Sequence, residues 1–182
     1  MFSQPVRDGV VLRLFEERHA ETFLAHIEAS REHYAEWLTE FAEMDTVEAA
    51  RAFIRNGLDS FAKGSGVSLG IWVDGQLAGL VGLGNVQAES RSAMIGYAIG
   101  AAYQGRGLVT DAVRVLLDYA FDELGLNRVE ITCPHDHPRS RHIPERLGFR
   151  EEGTRRQTVW IRDQPHDEVI YGMLAAEWGA RR

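Results

Sequence analysis

The stretch from Met94 to Leu124 limits the fold of this 182-residue chain more tightly than any other. Met94 to Ile99 is a compact apolar run that ends at Gly100, the pattern of a buried strand. Gln104-Gly105-Arg106-Gly107 is a short turn carrying two glycines. From Leu108 the period changes. Val109, Ala112, Val113, Leu116, Leu117, Ala120 and Leu124 recur at three- and four-residue steps, one face of a helix. Arg114, Asp118 and Asp122 fall on the other face, Asp111 in the first turn suits the macrodipole, and Gly125 is placed to end the helix. The order is strand, glycine turn, helix.

That order has a chemical meaning. Backbone N–H groups in the first helical turn lack intrahelical partners. Glycines before them let a ligand approach the backbone, and the dipole favours negative charge. The expected guest is a phosphate or pyrophosphate; the alternative is a strand–helix connection with no ligand.

Composition narrows the setting. A chain of this length suits one domain spanning residues 1–182, large enough to bury roughly 70% of its unfolded surface. A net charge of −7 argues against nucleic-acid binding through bulk charge. Arginines nonetheless gather late in the chain (Arg139, Arg141, Arg146, Arg150, Arg155, Arg156), while acidic residues crowd positions 16–48. This asymmetry suits either solvated faces or an anionic ligand at one end and a cationic substrate at the other. The single cysteine, Cys133, excludes an internal disulfide and fits a reducing compartment. No signal peptide or membrane-length apolar run is visible, so a cytoplasmic protein without membrane partners is expected.

Along the chain, Val10 to Phe15 reads as a first strand, followed by helical patterns over Glu16–Ala29, Arg31–Phe41 and, capped by Asp45 or Thr46, Val47–Phe61. Val67–Val73 and Gln76–Val86 flank Asp74-Gly75, a hairpin signal. After the central helix come a strand at Arg128–Cys133, a short helix at Ser140–Leu147, a strand from Gly148-Phe149 towards Thr158, and a last strand at Glu168–Ala175. Gly79-Leu80-Val81-Gly82-Leu83-Gly84 superficially resembles a dinucleotide fingerprint but opens no helix, so it is read as strand. His135 and His137 with Cys133 lack a second ligand pair, so no metal site is expected. The sum is an α/β (α+β) domain with a mixed, mostly antiparallel sheet of about seven strands flanked by helices.

Three blocks in this order resemble one family. Gln104-Gly105-Arg106-Gly107-Leu108-Val109 resembles the Q/R-x-x-G-x-G/A acetyl-CoA signature of the GNAT N-acetyltransferases. Asp136-His137-Pro138-Arg139-Ser140 resembles the D-N-x-x-S loop, and Glu145-Arg146-Leu147-Gly148-Phe149 the closing block, of the branch that acetylates ribosomal-protein N-termini (RimJ/RimL-like). The resemblance covers nearly the whole chain. It implies a sheet splayed between the fourth and fifth strands, with Gly96 as the site of a bulge. It implies acetyl-CoA as co-substrate, its pyrophosphate on the backbone of Gln104, Gly105, Arg106, Gly107, Leu108 and Val109. The pantetheine arm then runs beside Ala98 and Ile99, with His137 at the cofactor in place of the branch's usual asparagine.

Further roles follow from the same resemblance. Ser140 is the expected general acid beside the CoA sulfur, or alternatively the N-cap of the following helix. Trp37 and Asn85 are the expected acceptor-site residues, or else a core aromatic and a strand-end asparagine. The acceptor is a primary amine, foremost a protein N-terminal α-amine, with an antibiotic, polyamine or amino-acid amine, or a non-catalytic acetyl-CoA-binding module, as alternatives. A homodimer is implied. The chain departs from the pattern where Met94 and Val159 stand in place of glutamates, so the general base stays open among His135, His137, Asp136 and a bound water.

Overall fold

The computed structural model describes residues 3–181. Its frame is one eight-stranded sheet in the order β1-β2-β3-β4-β5-β6-β8-β7. The strands are β1 (Ser3–Arg7), β2 (Val10–Leu14), β3 (Val67–Val73), β4 (Gln76–Gln87), β5 (Ser92–Ile99), β6 (Arg128–Pro134), β7 (Arg150–Ile161) and β8 (Gln164–Leu174). Every neighbouring pair is antiparallel except β5 and β6, which are parallel. The strand beyond the seven expected is β1. Its side chains are almost all exposed, so it carries no apolar alternation to read. It exists because the edge of β2 offers unpaired backbone groups.

Helices cover both faces. On one lie α1 (Ala20–Ala29), α2 (Arg31–Ala35), α3 (Thr39–Ala42) and α4 (Val47–Ala62), and on the other α5 (Leu108–Asp118), α6 (Pro138–Leu147) and, after β8, α7 (Ala175–Gly179). The two faces have separate cores. Val113, Leu116 and Leu117 of α5 join Leu69, Ile71, Ile131 and Tyr171 of the sheet in one. Phe23, Phe41 and Ile54 join Trp72, Leu77 and Leu80 in the other. Each fully buried aliphatic or aromatic side chain contributes about 1.5–3 kcal/mol. In the second core Phe23 stacks on Phe53 at 5.1 Å, and Phe41 meets both rings edge-on.

Local signals behave as their chemistry requires. Thr46 accepts the Ala49 amide at 3.1 Å and caps α4. Asp74 and Gly75 both hold positive φ, +48° and +81°, in the β3–β4 hairpin. The pattern over Arg31–Phe41 divides into α2 and α3 at Glu36–Leu38, and the central helix closes with a π turn over Tyr119–Glu123 before Gly125. No helix among the described residues is long and apolar enough to cross a membrane.

Two local features near the cleft depart from the sequence expectation. Gly96 pairs with Gly82 in regular register, so no bulge sits there; the irregularity between β4 and β5 lies between Gly84 and Gln87. Asn85 occupies it with φ +50°, a left-handed conformation asparagine tolerates well. And α6 begins at Pro138, not Ser140, because proline fits the first helical position, where no N–H is needed.

His26, on α1, is buried against Tyr34, with its Nε2 2.7 Å from the phenolic oxygen. Burial pulls its pKa down to about 4, and a backbone hydrogen bond with Leu77 opposes that only in part. The imidazole is therefore neutral in the folded chain. Below about pH 6.5 the unfolded chain takes up a proton that the folded chain refuses until about pH 4, so stability is lost as pH falls through this window. The loss expected is about 3 kcal/mol. Urea midpoints measured between pH 7 and 4 should fall accordingly, and His26→Gln should flatten that slope; an equal slope in the variant would place its origin elsewhere.

Candidate active site

The parallel pair β5–β6 holds together over only three residue pairs, Ser92 to Met94 against Arg128 to Glu130. Past Met94 the strands diverge, and the β6-facing backbone groups of Ile95 to Ile99 have no strand partner. Two cavities meet at this opening. The larger, about 1100 Å³, runs between α2–α4 and β4–β5 and is lined by Trp37, Asn85, Ala98, His137 and Ser140, among others. The smaller, about 480 Å³, is lined by Gly105, Arg106, Gly107 and Leu108, with Arg139, His142 and Arg146 opposite. Ile99, Gln104 and Val109 line both. All twelve residues expected from the sequence as acid, cofactor or acceptor residues thus border one continuous cleft, whereas the base candidates His135 and Asp136 do not line it.

The turn before α5 is built for close approach. Gly105 and Gly107 take φ of +72° and +73°, a region that costs any side chain strain, and the space beside Gly105 is open. The first helical hydrogen bond is donated by Asp111 to the Gly107 carbonyl at 3.0 Å. Unlike Thr46 at α4, Gly107 offers no side chain to the amides before Asp111. Arg7 of β1 secures this turn: it donates to the Arg106 carbonyl at 2.7 Å and pairs with Asp111 at 2.9 Å. Arg114 pairs with Asp111 at 3.0 Å as well. The two guanidiniums offset the one carboxylate that would repel an anion here. Arg7 lies on the strand the sequence does not announce, and only the fold brings it to a turn 99 residues away.

Ser140 is not a helix cap. With α6 starting at Pro138, His137 takes the N-cap position, and the Ser140 hydroxyl donates to Cys133 Sγ at 3.2 Å. Pro144, four residues on, has no N–H to give the Ser140 carbonyl. Tyr97 of β5 supplies the missing donor across the opening, O–H to carbonyl at 2.9 Å, and its oxygen lies 3.3 Å from Ser140 Oγ. Desolvation raises the Tyr97 phenol well above its usual range, and it raises the Cys133 thiol too, so both stay protonated. This Tyr97–Ser140–Cys133 cluster has a sequence trace in the Ser140/Pro144 spacing of one helical turn, but only the splayed sheet brings Tyr97 to it.

One wall of the larger cavity is aromatic and histidine-rich. The Trp37 and His137 rings stack at 4.1 Å with a 4° interplanar angle, and His166 meets Trp37 edge-on at 6.1 Å. His166 Nδ1 lies 2.9 Å from Asp136 Oδ2. Gln104 joins His33 at 3.0 Å to Arg139 at 3.1 Å where the cavities meet. Burial lowers the His137 pKa from its ordinary 6.5. Met94 lines the cavity; Val159 does not, and pairs with His166 in the β7–β8 hairpin. Among the described residues, no group of three or more His, Cys, Asp or Glu side chains is disposed to hold a metal ion.

Comparison with known proteins decides the family. Residues 10–150 match the acetyltransferase (GNAT) domain. The chain belongs to the GNAT acetyltransferase family. It is 35% identical over 98% of its length to YdaF of Bacillus subtilis (strain 168), whose name places it among ribosomal N-acetyltransferases and 98% of which is covered. Two solved structures share the fold. A RimL ribosomal-protein alpha-N-acetyltransferase in complex with coenzyme A superposes with a TM-score of 0.92 at 19% identity, covering 97% of this chain and 99% of that one. A microcin self-immunity acetyltransferase in complex with acetyl-CoA and AMP gives 0.89 at 24% identity, covering 93% and 94%. The splay between the fourth and fifth expected strands of this GNAT acetyltransferase, now β5 and β6, is the opening where the two cavities meet.

The Tyr97–Ser140 link has a measurable signature. Tyr97→Phe removes the donor to a carbonyl that Pro144 leaves unserved, at an expected cost of about 1–2 kcal/mol. In a Pro144→Ala background the helix supplies its own N–H, so the same substitution should cost measurably less. A double-mutant cycle by urea denaturation checks this; equal costs in both backgrounds would rule the link out.

Proposed function

We propose that this GNAT N-acetyltransferase transfers the acetyl group of acetyl-CoA to a primary amine, a protein N-terminal α-amine foremost. The observation that carries the proposal is the junction of the two cavities at the β5–β6 splay. One side is an anion-ready turn and the other an aromatic acceptor wall. Both solved structures of this fold named above contain CoA or acetyl-CoA.

The residues fit that co-substrate part by part. The uncapped amides between Gly105 and Thr110 receive the pyrophosphate, with Arg106, Arg139 and Arg146 supplying positive charge around the smaller cavity. The unpaired β5 backbone near Ala98 and Ile99 receives the amide-bearing arm as a strand would receive a neighbour. The thioester then lies at the splay beside Ser140. The amine nitrogen attacks the carbonyl carbon, the C–N bond forms and the C–S bond breaks. A β5 backbone N–H facing the opening stabilises the developing oxyanion. The Ser140 hydroxyl gives its proton to the departing thiolate, and Tyr97, its oxygen 3.3 Å away, holds Ser140 in place.

The acceptor wall favours a single amine over a polycation. Among the described residues, Glu40 is the one carboxylate lining the larger cavity, against Arg139 and the imidazoles of His33 and His137. A polyamine needs several carboxylates to replace the water around its charges. An α-amine, with a pKa near 7.7–8.0, also needs less help to lose its proton than a lysine amine near 10.4.

Saturating acetyl-CoA, at about 100 times its Kd, should stabilise the protein by about 2.7 kcal/mol and raise Tm by roughly 5–10 °C. Gly107→Val forces a β-branched residue to positive φ at the turn and should remove that shift. No shift in the wild type would refute the co-substrate assignment, and binding without thiol release on any amine would indicate a binding module. Ser140→Ala should lower kcat about 100-fold with acetyl-CoA affinity unchanged. Wild-type turnover in that variant would remove Ser140 from the chemistry.

A further inference from the structure

Met94 and Val159 stand where the resemblance would place two glutamates as bases, and the structure separates the groups that remain. His135 is exposed and lies outside the larger cavity. Asp136 is engaged by His166 at 2.9 Å and lies outside the cavity too, as does His166 itself. His33 lines the cavity but its Nε2 is bonded to Gln104 at 3.0 Å. Glu40 lines the cavity from α3, where its side chain is exposed to solvent. His137 differs from all of these. It lines the cavity one helical turn before Ser140, its ring is fixed flat against Trp37, and neither ring nitrogen bonds to a described residue.

From this geometry we infer that His137 is the general base of the transfer, an imidazole standing in for the missing carboxylates. This rests on the acetyltransferase reading above. The imidazole takes the proton that the amine sheds as its nitrogen bonds to the thioester carbon. The C–S bond breaks, and the thiolate takes a separate proton from Ser140. The two transfers leave an imidazolium at His137 and an alkoxide at Ser140, and return of one proton from the first to the second through solvent restores both, so atoms and charge balance, with the base on the acceptor side and the acid on the donor side.

The surroundings keep the ring in its basic form at neutral pH. Desolvation disfavours the imidazolium first, and His33 from α2 and Arg139 from α6 add to it. Asp136, beside it in the loop, and Glu36, at the end of α2, oppose it, and His166 of β8 sits beyond Trp37. The net direction is downward from 6.5, which leaves a neutral ring able to accept a proton. Trp37 fixes the orientation by stacking, the part that a carboxylate partner plays for many catalytic histidines.

The test uses His137→Asn and His137→Ala with two acceptors, a seryl peptide whose α-amine titrates near 7.7–8.0 and a lysine side-chain amine near 10.4. At pH 7, kcat should fall by about 10² to 10⁴ in both variants at saturating acetyl-CoA, while the thermal unfolding midpoint shows that both remain folded. The loss should be larger for the amine of higher pKa, and added imidazole should restore turnover to His137→Ala. A loss below tenfold, or one indifferent to acceptor pKa and unrescued by imidazole, would overturn the assignment. So would finding the rescuable loss in His166→Asn or Glu40→Gln instead. Wild-type protein that acetylates no amine would defeat the parent reading, whereas wild-type turnover with an unaffected His137→Asn would defeat this inference alone.

Discussion

The structure depends on the short pairing of β5 with β6. Three residue pairs hold two parallel strands at one end, and nothing in the sheet holds them beyond Met94. A sheet opened in its middle would ordinarily leave a row of unsatisfied backbone groups. Here the opening is spanned by a side chain. Tyr97 reaches from β5 to the Ser140 carbonyl, which is available only because Pro144 cannot donate to it. A proline inside a helix, normally a cost of about 3 kcal/mol, thereby becomes part of what positions α6 at the cleft.

Both halves of the site follow from that opening. On one side, the same divergence exposes the backbone of β5 leading into the Gly105–Gly107 turn, so one chain segment presents first strand edges and then helix amides. Arg7, from the far edge of the sheet, fixes the turn by its carbonyl and neutralises Asp111. On the other side, α2 and the β7–β8 hairpin meet at the opening, where Arg162 donates to the Ala35 carbonyl at 2.8 Å. Trp37, His137 and His166 come together there from three separate elements.

Much of this was legible in the residues. The periodicity change at Leu108 located α5 closely, because the apolar positions it announces from Val109 to Ala120 are all buried, while Leu124, beyond the π turn, is exposed. The Asp74-Gly75 hairpin and the Thr46 cap were equally readable, since each depends on backbone chemistry within four residues. The misses share a different cause. β1 has no apolar face, so only the neighbouring edge explains it. The start of α6 was displaced by two residues because serine is a common cap, while Pro138 had the stronger claim through its fixed φ. That displacement changed chemistry as well as boundaries, since it released the Ser140 hydroxyl from the backbone and turned it to Cys133. The Gly96 bulge was misplaced because a glycine permits irregularity without requiring it, and the ladder broke instead at Asn85.

The sequence by itself determined the order of seven of the eight strands, the glycine turn before α5, the family and twelve residues that border the cleft. All of these are written in local periodicity, in glycines that must hold positive φ, and in motif order. Tertiary structure alone decided which of those residues face one another. Arg7 with Asp111, Tyr97 with Ser140, and Trp37 with His137 are separated by 104, 43 and 100 positions along the chain. No local pattern records such pairs, because they arise from strand order and from where the sheet parts. The same is true of the choice among the histidines. His135 and His137 are alike in sequence, and only the wall of the cavity tells the solvated ring from the one positioned to take a proton.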